Sequence, residues 1–453
     1  MQESFDEGVV ETAGRSVLRH SILTFGTRIA IVLVNIPTSI LVARLLGVEG
    51  QGAYSSSIIL PTLFAFAGLL GIDSAHTFLL SKKQFTRAQI NGQSLILTAV
   101  LAAVVTPVYL VFLRFYGGAA DPQLRPLLTM AAALIPVLLA KYFSIAFLLG
   151  TEDIRRFNLA NLLQAAALLA LMCVNLFVFH AGVRGALLAY LASEAAVTVV
   201  GVAAARRAAR GERLIARPPA GLFRRSLVYG LQGHVGNILV LFTYRFDTFL
   251  VLSMAGLPAQ GFYSIAVLLA EKLSHIPESI QVVLFPRLSA LDTAEANRLT
   301  PRVVRNSLFA TLVAAVGLYL LSRPLLLLFF GIQYADSLAA FRVLIPGVVM
   351  LSVAKILSTD FSGRDKRIYY TVGTAIAFAV NVVLCLVWIP RWGIVGAAWA
   401  STVAYTIQAV VMLAFFMRLS GRGFVETVVP GREDFGLYAA ALGKVLGRGR
   451  PRA

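Results

Sequence analysis

Four basic side chains interrupt long apolar stretches of this sequence and could bind an anion: Arg28, Lys141, Arg245 and Lys272. A charge among apolar residues is costly unless it faces water, a ligand or an opposite charge. Guanidinium and ammonium groups suit phosphate oxygens, and in a low-dielectric cleft they concentrate an anionic ligand. We therefore predict that the four cations bind an anionic substrate. The competing interpretation is internal pairing, for example of Arg245 with Asp247, or of Lys272 with the glutamate beside it.

A polar row surrounds Pro277. Glu271, His275 and Glu278 follow one another at i, i+4 and i+7, and Gln281 lies on the same helical face. Such a face cannot be presented to lipid. It either lines a cavity, where its carboxylates and imidazole take up a proton or Na⁺, or forms a buried network between helices. Because proline removes a backbone hydrogen bond, we predict a hinge at this residue.

Two other apolar stretches carry similar rows. Arg28 and Asn35 lie seven residues apart, on one face of a helix. A second row consists of His234, Asn237, Tyr244 and Asp247. The two stretches correspond under an internal repeat described below, so we expect both rows to line one cavity and to contribute to ion coupling.

The helices that position these residues are predicted to span a membrane. The chain has 453 residues, of which 58% are hydrophobic and 14% charged, against about 25% charged in soluble domains. The apolar blocks have the length of about 20 residues that crosses a bilayer, and they lack the alternation of barrel strands. We predict an all-α integral membrane protein with about twelve transmembrane helices. They lie at 20–44, 54–80, 91–113, 126–149, 157–179, 185–205, 227–253, 260–285, 303–321, 338–359, 368–389 and 395–417.

The net charge of +18 is distributed unevenly. With the N-terminus inside, most Lys and Arg residues fall in cytoplasmic segments, as the positive-inside rule requires, so both termini are predicted to be cytoplasmic. The excess charge then serves topology and attraction to membrane lipids rather than binding of nucleic acid. Arg342 and Lys355, close to span ends, are expected to extend to the interface. Cys173 and Cys385 are expected to be reduced packing residues, and no metal site is predicted.

A basic connection divides the chain into halves. We predict a cytoplasmic segment at 1–19, an N-lobe of six spans at 20–205, a linker at 206–226, a C-lobe of six spans at 227–417 and a cytoplasmic basic tail at 418–453. The sequence GVEGQGAYS from Gly47 matches GLPAQGFYS from Gly256, and AGVRGA around Gly182 matches WGIVGA around Gly393. A Leu-Ile-Pro triplet also recurs. Because six is even, the repeat is parallel, and two six-helix bundles are expected to enclose a central cavity.

Several stretches resemble the polysaccharide-transport branch of the multidrug/oligosaccharidyl-lipid/polysaccharide exporter superfamily, the Wzx-type flippases. They are ARLLGVEGQGAY (43–54), QGFYSIAVLLAEKLSHIPESIQVVLFP (260–286), GRDKRIYY (363–370) and GIVGAAWA (393–400). The resemblance covers nearly the whole chain. It implies a V-shaped cavity, alternating access and a substrate built from a polyprenyl lipid, a pyrophosphate and a short glycan. Peptidoglycan-precursor relatives carry two more spans at the C-terminus, whereas the tail here is polar.

The sequence therefore predicts a flippase of the bacterial inner membrane for a lipid-linked oligosaccharide of O-antigen, exopolysaccharide or capsule. The alternative is an ion-coupled multidrug or metabolite antiporter, for which a cationic drug would need an acidic, aromatic cleft. No cofactor is expected, since no phosphate-binding loop occurs, and H⁺ or Na⁺ coupling is the expected energy source. An enzyme is not expected, because the largest outer connection, about 114–125, is short. The protein is expected to be a monomer. A polysaccharide polymerase and a chain-length protein are its candidate partners.

Overall fold

The computed structural model describes residues 2–116, 122, 124–209, 213–431 and 434, with side chains from Leu23 onward except that of Phe25. Besides Met1, parts of three predicted segments lie outside the described residues. They are residues 117–121 and 123 of the outer connection, 210–212 of the linker, and 432–433 and 435–453 of the tail.

The regular elements of the described residues are all helices, which confirms the all-α prediction. They are α1 (Gln2–Gly68), α2 (Ile72–Ser81), α3 (Arg87–Tyr116), α4 (Leu124–Ala131), α5 (Leu134–Gly150), α6 (Ile154–Cys173), α7 (Gly182–Ala209), α8 (Ala220–Ala270), α9 (His275–Ala290), α10 (Thr293–Leu320), α11 (Ser322–Phe330), α12 (Ser337–Gly363), α13 (Arg367–Ser420) and α14 (Phe424–Val428). A π-helical turn at Val174–Val178 and 3₁₀ turns at Glu271–Ser274 and Ile332–Tyr334 complete them.

Within the described residues, nine stretches are long and apolar enough to cross a bilayer. Three of them, with 43, 71 and 54 residues, are far longer than the about 20 residues that one crossing needs. Each contains a glycine with non-helical backbone angles: Gly47, Gly256 and Gly393. Two crossings in each of these three stretches would bring the total to the predicted twelve.

The internal repeat is visible in the backbone. Gly47 has φ 69° and ψ −175°, and its counterpart Gly256 has φ 82° and ψ −174°. The second pair, Gly182 and Gly393, has φ 55° and 56°. These left-handed values strain a residue with a Cβ, which explains why glycine recurs. The Leu-Ile-Pro triplet behaves differently, since it opens α5 in the first half and lies inside α12 in the second. The arrangement of both halves around a cavity remains a prediction.

The chain forms two compact units. The first comprises Met1–Ser264 with Leu327–Ala335, and the second comprises Ile265–Leu326 with Asp336–Ala453. This division differs from the predicted lobes, because the seventh span falls in the first unit. Contacts such as Tyr116 Oη to Ser253 Oγ at 2.9 Å attach that span to α3. The six-plus-six lobes therefore remain a prediction.

A short segment from the second half of the sequence completes the first unit. The Tyr334 hydroxyl lies 2.9 Å from the carbonyl oxygen of Ala43 and 3.0 Å from that of Gly47. Arg44 Nε donates to the Phe329 carbonyl at 2.9 Å. The carbonyls of the last helical turn have no partner within their own helix. The two side chains therefore satisfy helix ends on both sides of this contact.

Close helix packing within each unit depends on small residues, as expected where lipid removes the hydrophobic drive for helix association. In the first unit, a Cβ on Gly201 of α7 would lie 2.5 Å from Ser144 Cβ of α5. In the second, a Cβ on Gly347 of α12 would lie 2.7 Å from Thr402 Cα of α13. Cys173 and Cys385 are free thiols in this structure.

Candidate functional site

Lys141 of α5 and Glu194 of α7 form an ion pair inside the first unit. Lys141 Nζ lies 2.5 Å from Glu194 Oε2, and the side chains are 19% and 2% exposed. Gln164 Nε2 donates to the other carboxylate oxygen at 3.4 Å. The positive charge of Lys141 is therefore balanced by a protein carboxylate, as the interpretation of internal pairing allows, although with a partner that sequence reasoning did not single out.

The other three predicted cations differ in depth and exposure. Arg28 is exposed and lies about 28 Å along α1 from the break at Gly47, at ~1.5 Å per residue. Arg245 is half-buried, about 16 Å along α8 from the break at Gly256. Lys272 is half-buried in a 3₁₀ turn, next to Glu271. If the two breaks mark the outer boundary, Arg28 lies near the inner face and Arg245 near the bilayer centre.

The second predicted span is interrupted between α1 and α2. Leu70 and Gly71 have φ 51° and 71°, in the left-handed region. A Cβ on Gly71 would lie 2.4 Å from the carbonyl oxygen of Gly230, so α8 approaches the interruption closely. Interrupted helices expose unpaired backbone groups, and transporters use such groups to bind ions and substrates.

His234 of α8 hydrogen-bonds to this interruption. Its Nε2 lies 3.1 Å from the carbonyl oxygen of Ala67, and its ring packs 5.7 Å from that of Phe66. Because a carbonyl only accepts, Nε2 must donate, which leaves Nδ1 of the neutral ring unprotonated. Asp73, in the first turn of α2, interacts electrostatically with His234.

The remaining residues of the two predicted rows do not share one environment. Asn35 and Tyr244 are half-buried, Asn237 is exposed and Asp247 is buried. Asp247 Oδ2 accepts a hydrogen bond of 2.6 Å from the Tyr263 hydroxyl. The carboxylate is thus oriented within the first unit, and its role in a cavity remains a prediction.

The polar row around Pro277 contacts α12 in the second unit. Lys355 Nζ lies 2.5 Å from Glu278 Oε1, and His275 Nδ1 lies 3.2 Å from Glu278 Oε2. Gln281 Nε2 donates to Thr359 Oγ1 at 2.7 Å. These contacts form an interhelical network, whereas His275 is 47% exposed and Glu278 38% exposed. The row is therefore partly a network between helices and partly an exposed face, as a cavity lining would be.

Lys355 was expected to extend to the membrane interface, but it contacts protein instead. Its side chain is 13% exposed and its ammonium group pairs with Glu278, because α12 packs against α9 at this level. Arg342 also contacts protein, since its Nε donates to Ser322 Oγ at 2.9 Å and its guanidinium lies 5.2 Å from the Tyr319 ring centre. Neither contact can be read from local sequence patterns, since both depend on residues distant in the chain.

A helical irregularity accompanies Pro277. The residue has no N–H to donate to the carbonyl four positions earlier, and the preceding turn, Glu271–Ser274, is 3₁₀-helical. Its predicted role as a hinge remains a prediction. Within the described part of the chain, no group of three His, Cys, Asp or Glu residues could hold a metal ion.

Within the described residues, the long apolar helices define a multi-pass membrane protein. Residues 17–292, more than half of the chain, match the family model "Polysaccharide biosynthesis protein", and residues 260–429 match "Lipid II flippase MurJ". A relative from Shigella flexneri named "Putative O-antigen transporter" is 23% identical over 425 residues, 89% of this chain and 98% of the relative.

Two solved structures share the fold. The inward-facing conformation of a multidrug resistance MATE family transporter of the MOP superfamily aligns with a TM-score of 0.68 and 18% identity, over 88% of this chain and 98% of that one. The lipid II flippase MurJ in an inward closed conformation aligns with a TM-score of 0.63 and 14% identity. The alignment covers 95% of this chain and 100% of that one. The chain belongs to the polysaccharide biosynthesis protein family.

Proposed function

We propose that the protein is a flippase that moves a polyprenyl-pyrophosphate-linked oligosaccharide across the bacterial inner membrane by alternating access. The glycan would be a repeat unit of O-antigen, exopolysaccharide or capsule. The observation that carries this proposal is the extent of the similarity to the Shigella flexneri relative, 89% of this chain and 98% of the relative. The family match over residues 17–292 supports the same substrate class.

The distribution of positive charge supports an anionic head group. Arg28 is exposed in a membrane-spanning helix, where a charge facing hydrocarbon would be costly, so water or an anionic ligand is its favourable environment. Its level near the inner face fits first contact with a cytoplasmic pyrophosphate. Arg245, nearer the bilayer centre, would receive the same group later. Lys141 contributes less, because Glu194 balances its charge.

The lipid chain would remain in the bilayer while the polar head crosses inside the protein. Two six-helix lobes would then expose the head-group site to each side in turn, with both termini cytoplasmic. A proton or Na⁺ would couple the cycle through the polar residues of α8 and α9. A polysaccharide polymerase and a chain-length protein would receive the product from a monomeric flippase.

An ion-coupled multidrug or metabolite antiporter is the second candidate, and the TM-score of 0.68 to a multidrug transporter favours it. The two candidates differ in the charge of the cargo. A cationic drug would be repelled by Arg28 and Arg245, whereas a pyrophosphate would be attracted.

Complementation of a flippase-deficient host tests the proposal. The wild-type chain should restore surface glycan, and Arg28→Ala and Arg245→Ala should each abolish it at unchanged protein level. The exposed Arg391, at the far end of a different span, provides the control Arg391→Ala, which should complement normally. Accumulation of the lipid-linked intermediate on the cytoplasmic leaflet should accompany each loss. Normal glycan from both cavity variants would contradict the head-group role, and drug resistance without glycan would favour the antiporter.

A further inference from the structure

The chain enters α8 through a rigid elbow. Pro218 and Pro219 precede the first helical residue, Ala220, and the Leu222 N–H donates to the Pro219 carbonyl at 2.9 Å. A pocket of about 500 Å³ lies at this point. Its lining consists of Ile96, Arg217, Pro218, Pro219, Ala220 and Phe223, and we name it the elbow pocket. Its volume falls within the range of about 300–1,000 Å³ typical of ligand sites.

The linker before the elbow is fixed to α3. The Ala216 N–H donates to the Ala88 carbonyl at 2.9 Å, and Asn91 Nδ2 donates to the Leu214 carbonyl at 3.1 Å. A Cβ on Gly92 would lie 2.1 Å from the Ala216 carbonyl oxygen, so the two backbones touch. The pocket wall that carries Arg217 is thus held in place by neighbouring backbone contacts.

The elbow pocket lies at the edge of the hydrocarbon. Exposed apolar side chains follow one another along α3 from Leu95, 59% exposed, to Phe115, 83% exposed. This row spans about 30 Å at ~1.5 Å per residue, the thickness of a bilayer core. Its first turn includes Ile96, which lines the pocket and is 42% exposed. We therefore expect the apolar lining to adjoin acyl chains, and the exposed Arg217 to lie at the level of the head groups.

We propose that the elbow pocket binds one anionic glycerophospholipid, with its phosphate on Arg217 and an acyl chain along Ile96 and Phe223. Guanidinium donates two parallel hydrogen bonds to phosphate oxygens, and the positive end of the α8 dipole begins at the same elbow. The lipid fastens the linker to α3 from the membrane side, as the backbone contacts do from within. This site is independent of the transported substrate.

Lipid retention by the purified full-length protein tests the site. The delipidated protein is mixed with detergent micelles that contain phosphatidylglycerol or phosphatidylcholine, and bound lipid is counted by native mass spectrometry. Phosphatidylglycerol should be retained, and Arg217→Ala should weaken it about tenfold, the factor expected when a charge-assisted hydrogen bond is lost. Arg217→Gln, which keeps the size of the side chain, should weaken it as well. The control is Arg213→Ala, an exposed cation of the same linker outside the pocket lining, which should change retention less than about twofold.

A second pair of variants tests the part of the site that would hold the acyl chain. Ile96→Trp should fill the pocket and displace phosphatidylglycerol, whereas Leu95→Trp, one position away and outside the lining, should not. Equal retention by the two tryptophan variants, or by the Arg217 and Arg213 variants, would overturn the proposal. Equal retention of phosphatidylcholine, or displacement by inorganic phosphate alone, would also overturn it. Competition by undecaprenyl phosphate at equal concentration would assign the pocket to the polyprenyl substrate class instead.

Discussion

The ion pair of Lys141 and Glu194 allows a test of whether a buried lysine serves the fold or the substrate. Removal of one member leaves the other charge without its partner in a low-dielectric interior, at a cost of about 3–5 kcal/mol. Replacement of both by uncharged groups of similar size is close to neutral. The double variant Lys141→Met with Glu194→Gln should therefore be more stable than either single variant.

The structure also orders the two single variants. Glu194 is 2% exposed and Lys141 is 19% exposed, so an unpaired carboxylate is further from water than an unpaired ammonium group. Lys141→Met should thus cost more than Glu194→Gln, in which the amide keeps a partner in Gln164. With each single variant destabilised by about 3–5 kcal/mol and a nearly neutral double variant, the coupling free energy should be about 6–10 kcal/mol in magnitude.

The double-mutant cycle needs the free energy of unfolding of four proteins: the wild type, the two single variants and the double variant. Each is measured by unfolding in mixed micelles with increasing denaturing detergent. Additive single effects would refute the reasoning, because they would mean that the two charges do not stabilise each other. Transport by the double variant then separates the roles. Retained transport would assign Lys141 to the fold, and a stable protein without transport would assign it to the substrate.

Three further predictions concern other parts of the chain. Gly71→Ala should destabilise the first unit by more than about 2 kcal/mol in the same assay, because φ is 71° and the new methyl group would lie 2.4 Å from the Gly230 carbonyl oxygen. Gln281→Ala should cost about 1–3 kcal/mol, since it removes the amide that donates to Thr359 Oγ1 and to the Lys355 carbonyl on α12; an effect below about 0.5 kcal/mol would contradict the network. Burial alone would raise the pKa of Asp434, but its hydrogen bond to Arg305 and the neighbouring charges outweigh burial and lower it. This contact should therefore persist at neutral pH and be lost only as pH falls below the ordinary aspartate pKa of about 3.9, whereas Asp434→Asn should release the C-terminal segment to proteolysis at pH 7.

The sequence predicted those features that depend on local patterns. Apolar blocks of bilayer length gave the all-α class, and the glycine matches identified Gly47 and Gly256 as equivalent before their backbone angles were known. A glycine that must adopt positive φ is readable because few other residues can replace it. The family resemblance was likewise carried by short motifs around these breaks, and the family match confirms it.

Features that depend on contacts between distant residues were missed. Lys355 near a span end is chemically equivalent to a lysine at the interface, and only the packing of α12 against α9 shows that Glu278 is its partner. The interruption before Ile72 was also missed, because its residues are apolar and resemble an unbroken span. Glu194 could not be assigned to Lys141, since nothing in their separation along the chain indicates a contact.

The apolar row along α3 also sets a preferred membrane thickness. Its about 30 Å length leaves little tolerance, because each Å of mismatch between helix and bilayer costs a fraction of a kcal/mol. In a thicker bilayer, the acyl region would extend past Ile96 and surround Arg217. The surrounding lipid would then have to thin, or the Arg217 side chain would have to extend toward the head groups. The protein should therefore sort toward regions of matching thickness, with the elbow at the lipid head groups as the reference level.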